Sequence, residues 1–176
     1  KVTGELHEEL PSDLPTHTKD APQLFFGVMA PWNRAYRRTL FTEGGIRFAT
    51  KVWYEDIRIV TKVLALAEQV VRLPGAYYHY LQREGSAMNN KNCARNVEIL
   101  YAFDDILGWF GEHGLREAYR DELTFLAISH LLIAASVRVA RIDCKSELLG
   151  QFRDYMEKNF PDFRENRYLP RLDRNK

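Results

Sequence analysis

The sequence predicts an α/β chain that is mainly helical. Three observations carry this: short β-branched and aromatic runs near the middle, long apolar periods of helical spacing in the second half, and no internal repeat. At 176 residues, 45% of them hydrophobic and 28% charged, the chain is long enough for one globular domain with its own core. It is neither disordered nor fibrous in composition.

Residues 1–23 are polar and broken by Pro11, Pro15 and Pro22, which reads as a connector loop. Leu24–Val28 is a short apolar run, read as strand or turn. From Pro31 to about Glu43, the spacing of Trp32, Tyr36 and Leu40 predicts one short amphipathic helix with Arg34, Arg37 and Arg38 on another face and Gly44-Gly45 as its stop. Ile57, Val60, Leu64 and Ala67 predict a second helix over about Glu55 to Glu68. Val70–Leu73 and Tyr77–Tyr80 flank the turn dipeptide Pro74-Gly75, and each reads as a short strand that need not pair with the other.

Beyond Asn90 the periods lengthen. Ile99, Phe103, Ile106 and Phe110 form one stripe, Leu123–Ala140 is apolar almost all round, and Leu149, Phe152 and Met156 form a third stripe; together they predict a helical bundle. Gly108, Gly111 and Gly114 read as loop glycines, since their spacing is not that of a nucleotide-binding turn. The apolar run Phe125–Val137 falls short of the ~20 residues a membrane span requires, and His130 and Arg138 interrupt or bound it. It is expected as a buried bundle helix, with His130 a core histidine. The tail Arg167–Leu172 is expected to dock only loosely.

Charge and motifs narrow the function classes. Twenty-five basic against twenty-four acidic residues leave a net charge of +1, which lacks the electrostatic footprint of a nucleic-acid binder. Cys93 and Cys144 stand alone, so no disulfide framework or zinc site is expected and a cytoplasmic setting fits. No phosphate-loop, zinc-protease, hydrolase or EF-hand pattern occurs. The N-terminus carries no initiator Met and no signal sequence, and the chain is expected to be part of something longer.

Four groups of residues could carry chemistry. Glu55 and Asp56 follow Trp53-Tyr54 at a helix start, where a carboxylate can serve as a general base or simply cap the helix or offset its dipole. Trp32, Asn33 and Arg34 set an indole beside an amide and a guanidinium, suited to a sugar or base and an anion, or to plain packing. Arg83 and Ser86, around a flexible Gly85, would suit a diphosphate. His79 lies between Tyr78 and Tyr80 as a lone strand histidine.

Read in order, the strings Ala30–Arg38, Gly45–Phe48, Tyr54-Glu55-Asp56 and Tyr78–Ser86 resemble the C-terminal half of the family-2 glycosyltransferases that build bacterial capsular and exopolysaccharides. The resemblance spans residues 24–90, with 91–176 as a helical extension of the kind such enzymes carry. It implies the C-terminal part of a Rossmann-like GT-A domain, and transfer of a sugar from a nucleotide-diphospho-sugar to a glycan or lipid-linked acceptor with inversion. It implies Asp56 as base, Glu55 as its orienting or acceptor-contacting neighbour, and Tyr54, Trp32, Asn33 and Arg34 on the substrate side, with Arg83 and Ser86 near the departing diphosphate. Arg34 stands where lysine is commoner in that family, and Leu81 where arginine is common. The family's divalent metal, manganese or magnesium, is held by a D-x-D pair in a donor half with no counterpart in these residues, so the chain alone is expected to bind no metal and to be inactive. Contact with the inner face of the cell membrane and homodimerisation both stay open. A non-catalytic helical interaction module is the alternative reading, and a membrane-surface adaptor a third.

Overall fold

The computed structural model describes residues 10, 14–75, 77–79, 81 and 93–172. Contacts divide the chain into two units, Lys1–Lys91 and Asn92–Lys176.

In the first unit, strand β1 (Thr16–His17) leads into three single 3-10 turns at Thr18–Asp20, Pro22–Phe25 and Pro31–Asn33. A four-residue helix α1 (Thr39–Thr42), helix α2 (Glu55–Leu66) and strand β2 (Gln69–Val70) follow. Helix α2 is the centre of this unit, because Ile57, Ile59, Val60, Val63 and Leu64 are all buried. Their spacing puts apolar side chains on more than one face, as a helix covered on several sides requires. The turns at 18–20, 22–25 and 31–33 and helix α1 all pack against it. Below its C-terminus, β1 and β2 pair antiparallel, Thr16 opposite Val70 and His17 opposite Gln69. The Thr18 hydroxyl donates to the Ala67 carbonyl and the Thr18 amide to that of Glu68 at 3.2 Å, so two carbonyls freed at the helix end find donors. Gly44 explains the tight exit from α1: a Cβ there would lie 2.4 Å from the Leu40 carbonyl oxygen and 2.6 Å from Leu66 Cδ1.

The α/β class, and with it the Rossmann-like GT-A architecture, is overturned. Among the described residues the fold is mostly helical, and the sheet is a single pair of two-residue strands. A Rossmann-like layer needs parallel strands buried on both faces by helices. Here Val71, Leu73, Tyr77 and Tyr78, from the two runs read as strands, stand 49–74% exposed. The amphipathic helix expected over 31–43 is also absent as one element. Arg34 adopts an extended backbone (φ −138°, ψ 150°), and only Thr39–Thr42 keeps helical hydrogen bonding. The Arg34 Nη1 group lies 3.0 Å from the Val28 carbonyl oxygen and 2.9 Å from that of Ala30, so its side chain serves the preceding loop's backbone.

The second unit is helical among its described residues. A 3-10 segment (Cys93–Val97) leads into α3 (Glu98–Glu112), and α4 (Arg120–Ala127) runs through a π-helical stretch (Ile128–Ala135) into α5 (Ser136–Ile142). Helix α6 (Glu147–Asn159) follows. The stripe Ile99, Phe103, Ile106 and Phe110 is fully buried, as are Leu123, Leu126, Leu131, Phe152 and Met156. Gly108 and Gly111 lie inside α3, not in loops: both are exposed and their missing Cβ atoms face open space. Only Gly114, with φ +67°, acts as the expected stop.

The continuous helix Arg120–Ile142 is 23 residues long, longer than the apolar run alone suggested. Its length and composition would suffice to cross a membrane, and half of its most apolar window is buried within the protein. The tail does not dock loosely. Tyr168 is buried; its hydroxyl donates to Glu122 Oε1 at 2.6 Å, and Asn166 Nδ2 donates to the Asp121 carbonyl at 2.9 Å. Burial, then the hydrogen bond to Glu122, pushes the Tyr168 phenol up to about 12.

His130 sits in the π-helical stretch. Although the residue is partly exposed overall, burial of its imidazole lowers its pKa to about 4, and the positive charge of Arg138 adds to the effect. A histidine held neutral in the fold, with an ordinary value of 6.5 when unfolded, favours folding fully above 6.5 and loses that contribution as pH falls toward 4. Urea midpoints measured across that range are expected to fall more steeply for the native chain than for His130→Leu. Identical pH profiles would show that this imidazole is protonated equally in both states.

Candidate functional site

The candidate site is built on the N-terminus of α2. The chain enters it through Tyr54, whose backbone is left-handed (φ 62°, ψ 29°), three residues after a second left-handed non-glycine, Lys51 (φ 62°). An aromatic residue in this region is strained, and such strain persists only where surrounding structure enforces it. Tyr54 is the N-cap residue, and its own side chain makes no capping hydrogen bond. Glu55 and Asp56 lie after the N-cap position, although the Asp56 carboxylate takes the free Ile57 amide of the first turn. They occupy the first helical turn, where the positive end of the helix dipole favours acids.

The two acids differ in surroundings. Glu55 is exposed, while Asp56 is half-buried and its Oδ1 accepts a 2.8 Å hydrogen bond from the Ile57 amide. That bond fixes the Asp56 carboxylate at the mouth of a helix whose next turns are buried. Tyr54 and Trp53, both half-buried, flank it in sequence.

The turn Pro31–Asn33 packs on α2, so Trp32 and Asn33 come to the same helix that carries Glu55 and Asp56. Trp32 stacks on Tyr78 with ring centroids 4.9 Å apart and planes 23° from parallel. Arg34 is built differently from the expectation of an anion-binding group. Its Nη1 reaches three acceptors, the Val28 and Ala30 carbonyls and Asn33 Oδ1 at 2.9 Å. Burial lowers its pKa, an effect that Tyr36 partly offsets. It orders the loop and the Asn33 amide.

Arg83 and Ser86 lie outside the described residues. His79 and Leu81 are exposed. The sequence reads Tyr78 as one member of an aromatic run and of the string Tyr78–Ser86, with no role of its own; the signal that singles it out is the doubled Tyr77-Tyr78 beside a polar histidine, two aromatics on opposite sides of an extended chain. Tyr77 donates its hydroxyl to the Pro74 carbonyl at 2.6 Å, and so closes its own turn.

Among the described residues no three His, Cys, Asp or Glu side chains gather as a metal centre. The divalent ion implied by the resemblance finds no ligand set in Glu55 and Asp56 alone. A cleft of about 470 Å³ opens in the second unit, lined in part by Arg116, Arg120, Thr124, Asn159 and Asp162. It contains none of the residues singled out in the sequence, and Arg120 is already paired with Asp162 across it. Compared with protein-family models, with curated proteins and with solved structures, the chain matches none.

Proposed function

We propose that this chain provides the acceptor side of a glycosyltransferase, one that moves a sugar from a nucleotide-diphospho-sugar to a glycan or lipid-linked acceptor. The Asp56 carboxylate takes the proton of the acceptor hydroxyl as that oxygen bonds to the anomeric carbon. The bond from that carbon to the diphosphate breaks, and the nucleoside diphosphate leaves from the opposite face, so configuration inverts. Glu55, exposed beside Asp56, contacts the acceptor. Nucleotide sugars place the reaction in the cytoplasm, with a lipid-linked acceptor bringing it to the membrane's inner face.

The observation that carries this reading is the entry to α2. A strained Tyr54, whose own side chain does not cap the helix, delivers two acids to the first turn, and a hydrogen bond from Ile57 holds the second of them. A helix that needed only capping would start on Ser, Thr, Asp or Asn in an extended conformation. The ordered motifs of residues 24–90 supply the substrate class.

The test is a transfer assay on the protein as its gene encodes it. A panel of radiolabelled nucleotide-diphospho-sugars is incubated with extracted glycan and lipid-linked acceptors and a divalent cation. The expected result is labelled product of inverted anomeric configuration from at least one donor. Indifference to every donor, in a folded protein, would overturn the reading in favour of a non-catalytic helical interaction module.

A further inference from the structure

Exposed apolar side chains scattered singly over a protein surface are ordinary, but a run of them in one short segment is not. After β2, whose pairing with β1 fixes the segment's base, Val71, Leu73, Tyr77, Tyr78 and Leu81 are 49%, 61%, 74%, 53% and 74% exposed. The turn among them is preorganised. The Tyr77 hydroxyl donates to the Pro74 carbonyl at 2.6 Å, and the Tyr77 ring lies over Gly75 (φ +121°), where a Cβ would come within 3.3 Å of the ring Cζ. Tyr78 stacks on Trp32 of the turn Pro31–Asn33, which packs on α2, so the segment is tied to the body of its unit.

The turn hides polarity where it shows apolar surface. Pro74 has no N–H, and its carbonyl is engaged by Tyr77. The same bond occupies the Tyr77 hydroxyl proton, so a ring that is 74% exposed can leave water without stranding its donor. In water an exposed hydroxyl needs no such partner.

Charge identifies what the turn meets. The Trp32–Tyr78 stack brings together the stretches 21–42 and 69–83. None of the chain's twenty-four acidic residues falls in either, whereas Arg34, Arg37, Arg38, Arg72 and Arg83 do. Arg34 serves its own loop, but Arg37 and Arg38 are exposed. An apolar pocket on a protein would take the turn without calling for arginines or excluding carboxylates. An anionic lipid surface calls for both: Tyr and Leu settle at the boundary of headgroups and acyl chains, and arginines settle on the phosphates.

We propose that the turn at residues 71–81 inserts into the boundary layer of an anionic bilayer, with Leu73 and Tyr77 leading and Arg37 and Arg38 on lipid phosphates. Vesicle binding needs neither donor nor acceptor, so the proposal stands or falls apart from the transferase reading.

The experiment is co-sedimentation of the full chain with vesicles of phosphatidylcholine mixed with phosphatidylglycerol, and with vesicles of phosphatidylcholine alone. Binding is expected to the mixed vesicles, weaker to the neutral ones, and reduced by salt. Leu73→Ser and Tyr77→Ser are each expected to weaken partition about tenfold, with Leu73→Phe retaining it to within about threefold. Arg37→Gln and Arg38→Gln are each expected to weaken binding to the mixed vesicles about fivefold, with little effect on the neutral ones. All four side chains are exposed, so circular dichroism is expected to show native folding.

No binding to either vesicle overturns the proposal, as does binding that both serine variants leave unchanged. Binding lost in the arginine variants but indifferent to Leu73 and Tyr77 is surface adsorption, and it overturns the insertion. A dimer in gel filtration that Leu73→Ser breaks, without vesicle binding, assigns the turn to a second copy of the chain and also overturns it.

Discussion

Replacing Asp56 by asparagine in the transferring protein is expected to lower kcat by about 10²- to 10⁴-fold, the range that a positioned general base contributes. The substitution is close to isosteric. An asparagine carbonyl oxygen can still accept the 2.8 Å hydrogen bond from the Ile57 amide, so the first turn of α2 should keep its shape. What is lost is the ability to take a proton from the acceptor hydroxyl. The effect should therefore fall on kcat, with acceptor and donor KM little changed. Glu55→Gln removes a charge from an exposed neighbour and is expected to act mainly on acceptor KM. Initial rates over acceptor concentration, on variants shown to be folded, separate the two. Near-normal turnover in Asp56→Asn would remove it as the base, and an equal loss in both variants would mean that the pair acts through summed charge at the helix start.

The placement of these acids was legible because a helix over-determined it. Ile57, Val60 and Leu64 recur at helical spacing, all three are buried, and α2 begins at Glu55 where the periodicity placed it. It ends at Leu66, earlier than the Glu68 expected, because Thr18 takes the Ala67 and Glu68 carbonyls and Gln69 pairs with His17. Such long-range competition leaves no local trace. The same reason limits the strand assignments: Val70 does lie in β2 but finds its partner in Thr16, far back in the sequence, while Tyr77 and Tyr78 stay exposed, and β propensity cannot supply a partner strand.

Elsewhere a side chain decided against the local pattern. Trp32, Tyr36 and Leu40 have helical spacing, but Arg34 bonds to the carbonyls of Val28 and Ala30 and the chain stays extended through it. Gly108 and Gly111 show the opposite error, where composition suggested a break. An exposed glycine costs a helix ~1 kcal/mol, which the buried stripe on the other face of α3 readily offsets. Of the site, Asp56 on its helix could be read from spacing, and the Trp32–Tyr78 stack could not. It requires two loops to meet, and nothing in either loop's sequence names the other.

Truncating Phe103 to alanine is expected to remove about 3–5 kcal/mol of stability from the second unit. The ring is fully buried in the middle of the α3 stripe and meets Phe160 edge-on, with centroids 6.3 Å apart and planes at 85°. Its loss combines the transfer energy of a whole phenyl group with a cavity whose walls are helix side chains fixed from both ends. Tyr101, two residues earlier on the same helix, is 57% exposed, and Tyr101→Ala should change stability by less than about 0.5 kcal/mol. Trp109 is the sole tryptophan after residue 91, so in a background with Trp32→Phe and Trp53→Phe its fluorescence during urea unfolding reports on this unit. A large fall in midpoint for Phe103→Ala, with little change for Tyr101→Ala, is the expected pair of results. A loss below about 1 kcal/mol in Phe103→Ala would mean that the surrounding side chains move in to fill the space. Asp56→Asn should leave the same midpoint unmoved, and that separates a chemical defect at α2 from a folding defect in the second unit.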